Sequence, residues 1–183
     1  LHQLQYRPAS CDPPTGAPPW PQPIAQQLQP FGRSVTELDT NADGKVDRIY
    51  AGNRLGQLWR FDIHWSASSP PVMHGSVFAD LRNVTTSRGF VAAPDVTLLE
   101  SPEERWLLQI AIGTANTVAG PGANHFFLVH DNAPFALWTA QQHALHSPLT
   151  LTQMQASPAH GFALDVGADQ VIAQSLTVNG KVL

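Results

Sequence analysis

From Arg33 onward, apolar and polar residues alternate in short runs, the period of a half-buried strand. The pattern predicts strands at Val35–Leu38, Arg48–Ala51, Leu58–Ile63, Ser76–Leu81, Val96–Glu100, Trp106–Gly113, Phe126–Asp131, Gly161–Val166, Val171–Val178 and Lys181–Leu183. These runs are rich in β-branched and aromatic residues, which pack well on a pleated surface. Turn formers separate them. Asn53-Arg54-Leu55-Gly56 is one such turn, and Asn179-Gly180 suits a type I′ hairpin, in which both central residues need φ > 0. The one candidate for helix is Ala133–His146, best at Gln141–Leu145.

Before Arg33 the pattern breaks. Pro8, Pro13, Pro14, Pro18, Pro19, Pro21, Pro23 and Pro30 fall within residues 7–30. Proline lacks the amide donor and fixes φ, so residues 1–32 read as an extended linker or a loop packed over the rest, with Trp20 as an anchor. A Pro-rich ligand for a binding groove is the other reading of this segment. Residues 33–183 then form the β domain. Many short strands with aromatic residues at their ends suggest a sandwich or a propeller. Gly56-Gln57-Leu58-Trp59-Arg60-Phe61-Asp62, echoed weakly at Asn124–Asp131, favours the propeller, because such a strand recurs once per blade. The expected fold is all-β and antiparallel, a partial propeller of about three to four blades at roughly 40–50 residues each.

The 183 residues carry a net charge of −4, with no basic stripe to neutralise phosphates, which argues against a nucleic-acid partner. No apolar run is long enough to span a membrane. The chain starts at Leu1 and ends at Leu183 within an expected strand, so it reads as a piece of a longer polypeptide. Cys11 is the only cysteine, which excludes an intrachain disulfide and a multi-thiolate metal site; its thiol either pairs outside this piece or stays free.

The densest chemistry lies at Asp39-Thr40-Asn41-Ala42-Asp43-Gly44-Lys45-Val46-Asp47. Oxygen-bearing side chains at alternate positions, with glycine at the sixth, are how a short loop wraps a hard cation that takes six to eight oxygens. Asp39, Asn41 and Asp43 are the expected first ligands, the Lys45 carbonyl the fourth, and Asp47 the closing bidentate one. Gly44 permits the sharp turn. Position twelve from Asp39 is Tyr50, not the Glu of a helix–loop–helix site, and both flanks read as strands. The expectation is therefore a strand–loop–strand Ca²⁺ site; a polar turn held by Asx hydrogen bonds is the alternative. Mg²⁺ fits poorly, because it demands tighter octahedral geometry and keeps its waters.

Residues 33–183 resemble the C-terminal β-propeller of PilY-type proteins, the type IV pilus biogenesis factors and tip adhesins. The resemblance rests on DTNADGKVD, then RIYAGN, then RLGQLWRFD, with looser matches at Val91–Val96, Ile112-Gly113-Thr114, His160-Gly161-Phe162 and Val171–Leu183. It implies calcium held by Asp39, Asn41, Asp43, the Lys45 carbonyl and Asp47, and a non-catalytic role in pilus extension and attachment with calcium as the switch. It further implies minor pilins and host or abiotic surfaces as partners, and a place at the bacterial surface or pilus tip, with the outer membrane or periplasm during assembly. Asn53 stands where the family has Asp, which weakens a ligand or turn role there. Ala115 replaces a family glycine, and no Arg-Gly-Asp tripeptide is present.

Other chemistry is thinner. The eight histidines read as scattered surface or half-buried residues: His125 and His130 fall on opposite strand faces, and no third ligand accompanies His143 and His146 at zinc spacing. No Gly-x-Ser-x-Gly elbow occurs, and Ala119–Gly122 lacks the Lys-Ser/Thr of a phosphate cradle. Trp59 and Phe61 read as core aromatics, and Ser101–Arg105 as an exposed turn. Two alternatives remain: a calcium-dependent lectin-like adhesin, and, after it, a quinoprotein-type propeller enzyme.

Overall fold

The computed structural model describes residues 35–82, 89–100, 106–115, 124–167, 169, 171, 177–178 and 181–182. Strands β1 (Thr36–Leu38), β2 (Arg48–Gly52), β3 (Gln57–His64) and β4 (Val72–Asp80) form an antiparallel meander. A second meander follows, of β5 (Asp95–Glu100), β6 (Trp106–Gly113) and β7 (Asn124–Asp131), closed by β9 (Gly161–Gly167). Between β7 and β9 the chain leaves the sheet through α1 (Ala140–Leu145), β8 (Leu149–Thr150), α2 (Leu151–Ala156) and a 3₁₀ turn at Pro158–His160. In that excursion β8 joins the first sheet parallel to β4, through Ala79↔Leu149 and Asp80↔Thr150. A small antiparallel hairpin, β10 (Thr177–Val178) with β11 (Lys181–Val182), ends the described chain.

Among the described residues the protein is therefore mainly β, with two open sheets rich in antiparallel pairs besides the small β10–β11 hairpin. Expected strands appear where alternation placed them, with ends moved by a few residues, except that 172–176 lie outside the described residues. So do the Pro-rich segment with Cys11 and Trp20, Ser101–Arg105, Ala119–Gly122 and the Asn179-Gly180 dipeptide. Helix α1 falls on the expected Gln141–Leu145, whereas α2 and β8 were not foreseen. Each helix is started by a capping box, Thr139 with Gln142 and Thr150 with Gln153. The hydroxyl accepts an orphan N–H while the Gln side chain accepts the cap's own N–H, so a six-residue segment can hold a helical turn.

Strand register assigns the faces. Tyr50, Leu58 and Phe78 from the first sheet meet Leu108, Ile110, Ile112, Phe127 and Val129 from the second, forming the buried core. The opposite faces are apolar too. Ala51, Trp59 and Val77 share the far side of the first sheet, and all are buried. On the far side of the second sheet Ala111 and Leu128 are buried beside Phe162 and Leu164, which are 51% and 55% exposed.

Gly161 makes the return to the second sheet possible. Its φ is 111°, and a Cβ there would stand 1.8 Å from the Leu128 carbonyl oxygen. We predict that Gly161→Ala destabilises the protein by at least about 1–3 kcal/mol through backbone strain, with the clash adding to it. The check is the midpoint of urea unfolding, which falls at unchanged m.

Candidate metal centre

The register Leu38↔Arg48 leaves residues 39–47 as the connection between β1 and β2, so the loop is strand–loop–strand as expected. Asp39 sits at its centre. Its Oδ1 accepts the N–H groups of Asn41 and Asp43 at 3.3 and 3.2 Å, and its Oδ2 accepts that of Gly44 at 2.7 Å. Asn41 Oδ1 converges on the same Asp43 N–H, at 2.8 Å, and Asp43 Oδ1 accepts the Lys45 N–H at 2.9 Å. Gly44 takes φ 85° and Ala42 takes φ 62°. The second value is uncommon for a residue with a Cβ, and it is what folds the chain back around Asp39. The Gly44 N–H above all holds the Asp39 carboxyl below the usual range against an opposing effect of desolvation, with the N–H groups of Ala42, Asp43 and Asn41 adding to it.

Asp47 closes the loop from a buried position, 1% exposed. Its Oδ2 accepts from the Thr40 N–H and hydroxyl at 3.1 and 3.0 Å. Its backbone is clamped as well, donating to Leu38 O at 2.8 Å and accepting from the Ile63 N–H at 2.7 Å. The Lys45 side chain points outward, 3.7 Å from Asp43 Oδ2 and 5.6 Å from the Trp65 ring centroid.

The five expected ligands thus share one compact loop. The donor set is oxygen only and carries three carboxylates, which suits a hard cation. In this state the oxygens cap loop N–H groups, and among the described residues no three His, Cys, Asp or Glu side chains are gathered as a metal group. The Asx-turn hydrogen bonds and the cation-loop sequence therefore coexist in the same nine residues.

One residue beyond Asp47 the chain enters a charged cluster that the sequence reading missed. Arg48 Nε donates to Asp62 Oδ1 at 2.9 Å, and its two Nη atoms donate to the carbonyls of Pro134 and Ala136 at 2.9 and 2.5 Å. Arg60 Nε donates to Asp62 Oδ2 and its Nη1 to Asp131 Oδ2, both at 2.8 Å. Tyr50 donates to Asp131 Oδ2 at 2.5 Å. The Arg60 guanidinium also lies 3.9 Å from the Trp138 ring centroid. Arg48, Arg60, Asp62 and Tyr50 are fully buried and Asp131 nearly so. Two positive and two negative charges cancel, and almost every polar edge is used, which is the condition for burying charge at all. Burial, together with the neighbouring Asp131 carboxylate, pushes the Tyr50 phenol well above its usual range, so it stays a donor. Asp62 is held well below the carboxylate range: contacts to His143 and Arg60, with the charge of Arg48, overcome its desolvation.

The histidines are less scattered than expected. His143 on α1 is buried, with Nδ1 2.8 Å from Ser76 Oγ and Nε2 3.0 Å from Asp62 Oδ2, close in distance but oblique in angle. His64 and His74 continue the row at ring separations of 5.5 and 6.5 Å. Burial, then the nearby His64 and His143, holds His74 below the ordinary histidine value. Ser76, His143 and Asp62 come together in the order of a nucleophilic relay. However, Asp62 is already neutralised by two guanidiniums and Ser76 sits mid-strand opposite Arg60, so the contact anchors α1 to β4.

No protein-family model matches this chain, and no curated protein or solved structure matches it. Its own geometry is what speaks to function.

Asn53 requires a correction. It is fully buried and organises the β2–β3 turn: its Oδ1 accepts the N–H groups of Leu55 and Gln57, both at 3.0 Å, and its Nδ2 donates to Gln57 Oε1 at 2.9 Å. Replacing Asp by Asn keeps the accepting oxygen and adds a donor that Gln57 satisfies, so the turn role is not weakened. The charged cluster did leave a signal. Arg48, Tyr50, Arg60 and Asp62 occupy the same strand parity as Leu58, a core residue, so charge falls where alternation calls for apolar side chains.

We predict that Asp62→Ala destabilises the protein by about 3–5 kcal/mol, because it strands buried guanidinium charge. Arg82→Ala, which removes the half-exposed pair with Asp80, changes stability by no more than about 1 kcal/mol. Urea unfolding of both variants tests the contrast. Folding lowers the Asp62 pKa, so its contribution is present above the unfolded carboxylate value and is lost as pH falls below about 4. Denaturation midpoints between about pH 2 and 6 should show that decline, shallower in Asp62→Asn.

Proposed function

We propose that this chain is a calcium-binding unit of a PilY-type β-propeller, acting without catalysis in type IV pilus extension and surface attachment. Minor pilins and surfaces are its partners, and the bacterial surface or pilus tip its place. The observation that carries the reading is the loop 39–47, in which Asp39 and Asn41 turn their oxygens inward onto loop N–H groups, Asp43 adds a carboxylate beside them, and the backbone is folded back at Ala42 and Gly44. Asp39, Asn41, Asp43, the Lys45 carbonyl and Asp47 would hold the ion, which supplies charge neutralisation for three crowded carboxylates. The propeller is supported by sheets that are apolar on both faces. A two-layer sandwich needs only its inner faces apolar, whereas a stack of blades buries both.

The switch has a physical route. Asp47 closes the loop and is bonded directly to Arg48, whose guanidinium is fixed between the two sheets. Ordering the loop therefore stiffens the β1–β2 junction and biases how its neighbours pack.

Calorimetric titration of chelator-treated protein with Ca²⁺ tests the proposal. We expect one site with a Kd on the order of 0.1–10 µM, and a melting temperature that rises with ion. Asp43→Ala, at an exposed position, weakens binding at least about tenfold, equivalent to about 1.4 kcal/mol, without lowering the melting temperature of the ion-free protein. Asp47→Ala abolishes binding and also destabilises the ion-free fold, since Thr40 loses its acceptor. Absence of binding heat and of any thermal shift in the wild type refutes the calcium reading.

A further inference from the structure

A cleft of about 510 Å³ lies beside the loop, floored by Val96, Leu98 and Leu108 and walled by Leu38 on one side and Pro134-Phe135 on the other. Residues 39–42 form its rim. The rim's one carboxylate, Asp39, is turned into the loop and engaged by backbone N–H groups, so the cleft presents apolar carbon rather than charge. Phe135 is 57% exposed and Leu98 41% exposed, too much apolar surface at one concavity to be idle.

We propose that this cleft is a docking groove for the chain's own segment Pro18-Pro19-Trp20-Pro21-Gln22-Pro23, with the Trp20 indole as its anchor. Three observations select that occupant. First, residues 13–30 contain no charged side chain and carry seven prolines with Trp20, Ile24 and Leu28, so they match an uncharged groove in chemistry. Second, the described chain begins at Val35, three residues before Leu38 in the groove wall. The Thr36 hydroxyl donates to the Pro94 carbonyl, tying the start of β1 to the approach of β5, which supplies the floor. The segment thus joins the fold at the groove. Residues 24–34 provide up to about 35 Å of tether at roughly 3.3 Å per residue, ample for the return. Third, a proline-rich stretch is already extended and loses little entropy on docking, and apolar grooves lined by proline and aromatic side chains suit it. Tethering makes the encounter intramolecular, so even weak intrinsic affinity fills the groove.

The inference does not require the ion, although the groove shares its rim with the candidate ion loop. The test uses the full chain labelled with 5-fluorotryptophan and read by ¹⁹F NMR, with Trp20 assigned by the resonance lost in Trp20→Phe. We expect the Trp20 signal to stand away from the position of a free tryptophan peptide, and to move there in both Leu98→Asp and Phe135→Asp. The other four tryptophans, Trp59, Trp65, Trp106 and Trp138, report that the fold persists in each variant. Spectra taken in Ca²⁺ and in chelator separate this proposal from the metal reading, because a displaced Trp20 signal in either condition supports docking whatever calcium does. A Trp20 signal at the free position in both conditions overturns it, as does one that ignores both groove substitutions. Dependence of the shift on protein concentration overturns the intrachain occupant in favour of a second copy.

Discussion

Two guanidinium groups, Arg48 and Arg60, stand between the sheets with no water to fall back on, and the packing around them is set by what they need. Each finds the Asp62 carboxylate on its own sheet, and Arg60 finds Asp131 on the other. Their remaining donors reach carbonyls of the chain that follows β7, at Ala133, Pro134 and Ala136. A purely apolar interface tolerates some sliding, because dispersion and burial are not directional. Forked guanidinium contacts do not, since displacement leaves charge desolvated and unpaired. The cluster therefore fixes which end of β7 meets which end of β2 and β3, and it holds the 133–136 segment over both.

That placement has consequences at the surface. Pro134 and Phe135 lie between carbonyls gripped by arginines, so the exposed Phe135 ring is mounted on a rigid base beside the loop. Asp47 ends the loop and Arg48 begins β2, so adjacent side chains serve the loop and the core. A change in the loop's order thus acts on a backbone held at both ends, rather than dissipating in a slack connection.

The apolar character of both faces of each sheet is the second constraint. Trp59 is buried on the side of the first sheet that does not meet the second, whereas Phe162 and Leu164 are half-exposed on the outer side of the second. Burying such surface is worth roughly 25 cal/mol per Å², so faces of this kind favour further layers. The helical excursion between β7 and β9 serves the inner core, where Met154 of α2 is buried and Trp138 packs against Phe78.

Alternation and turn chemistry, both local properties, were enough to place most of the strands, the β2–β3 turn and the strand–loop–strand form of residues 39–47. The oxygen-rich spacing of that loop and the need for glycine at Gly44 were likewise legible, because nine contiguous residues carry their own geometry. The capping boxes at Thr139 and Thr150 were also written in the sequence, though α2 is too short for its periodicity to reveal it. What only the tertiary structure decided is which distant groups share a site. Arg48 and Arg60 are bound to Asp131 across 83 and 71 residues of chain, and His143 to Ser76 across 67. Spacing along the chain holds no record of such contacts. They arise because burial removes water as a partner, and charged or polar groups must then find one another wherever the sheets bring them.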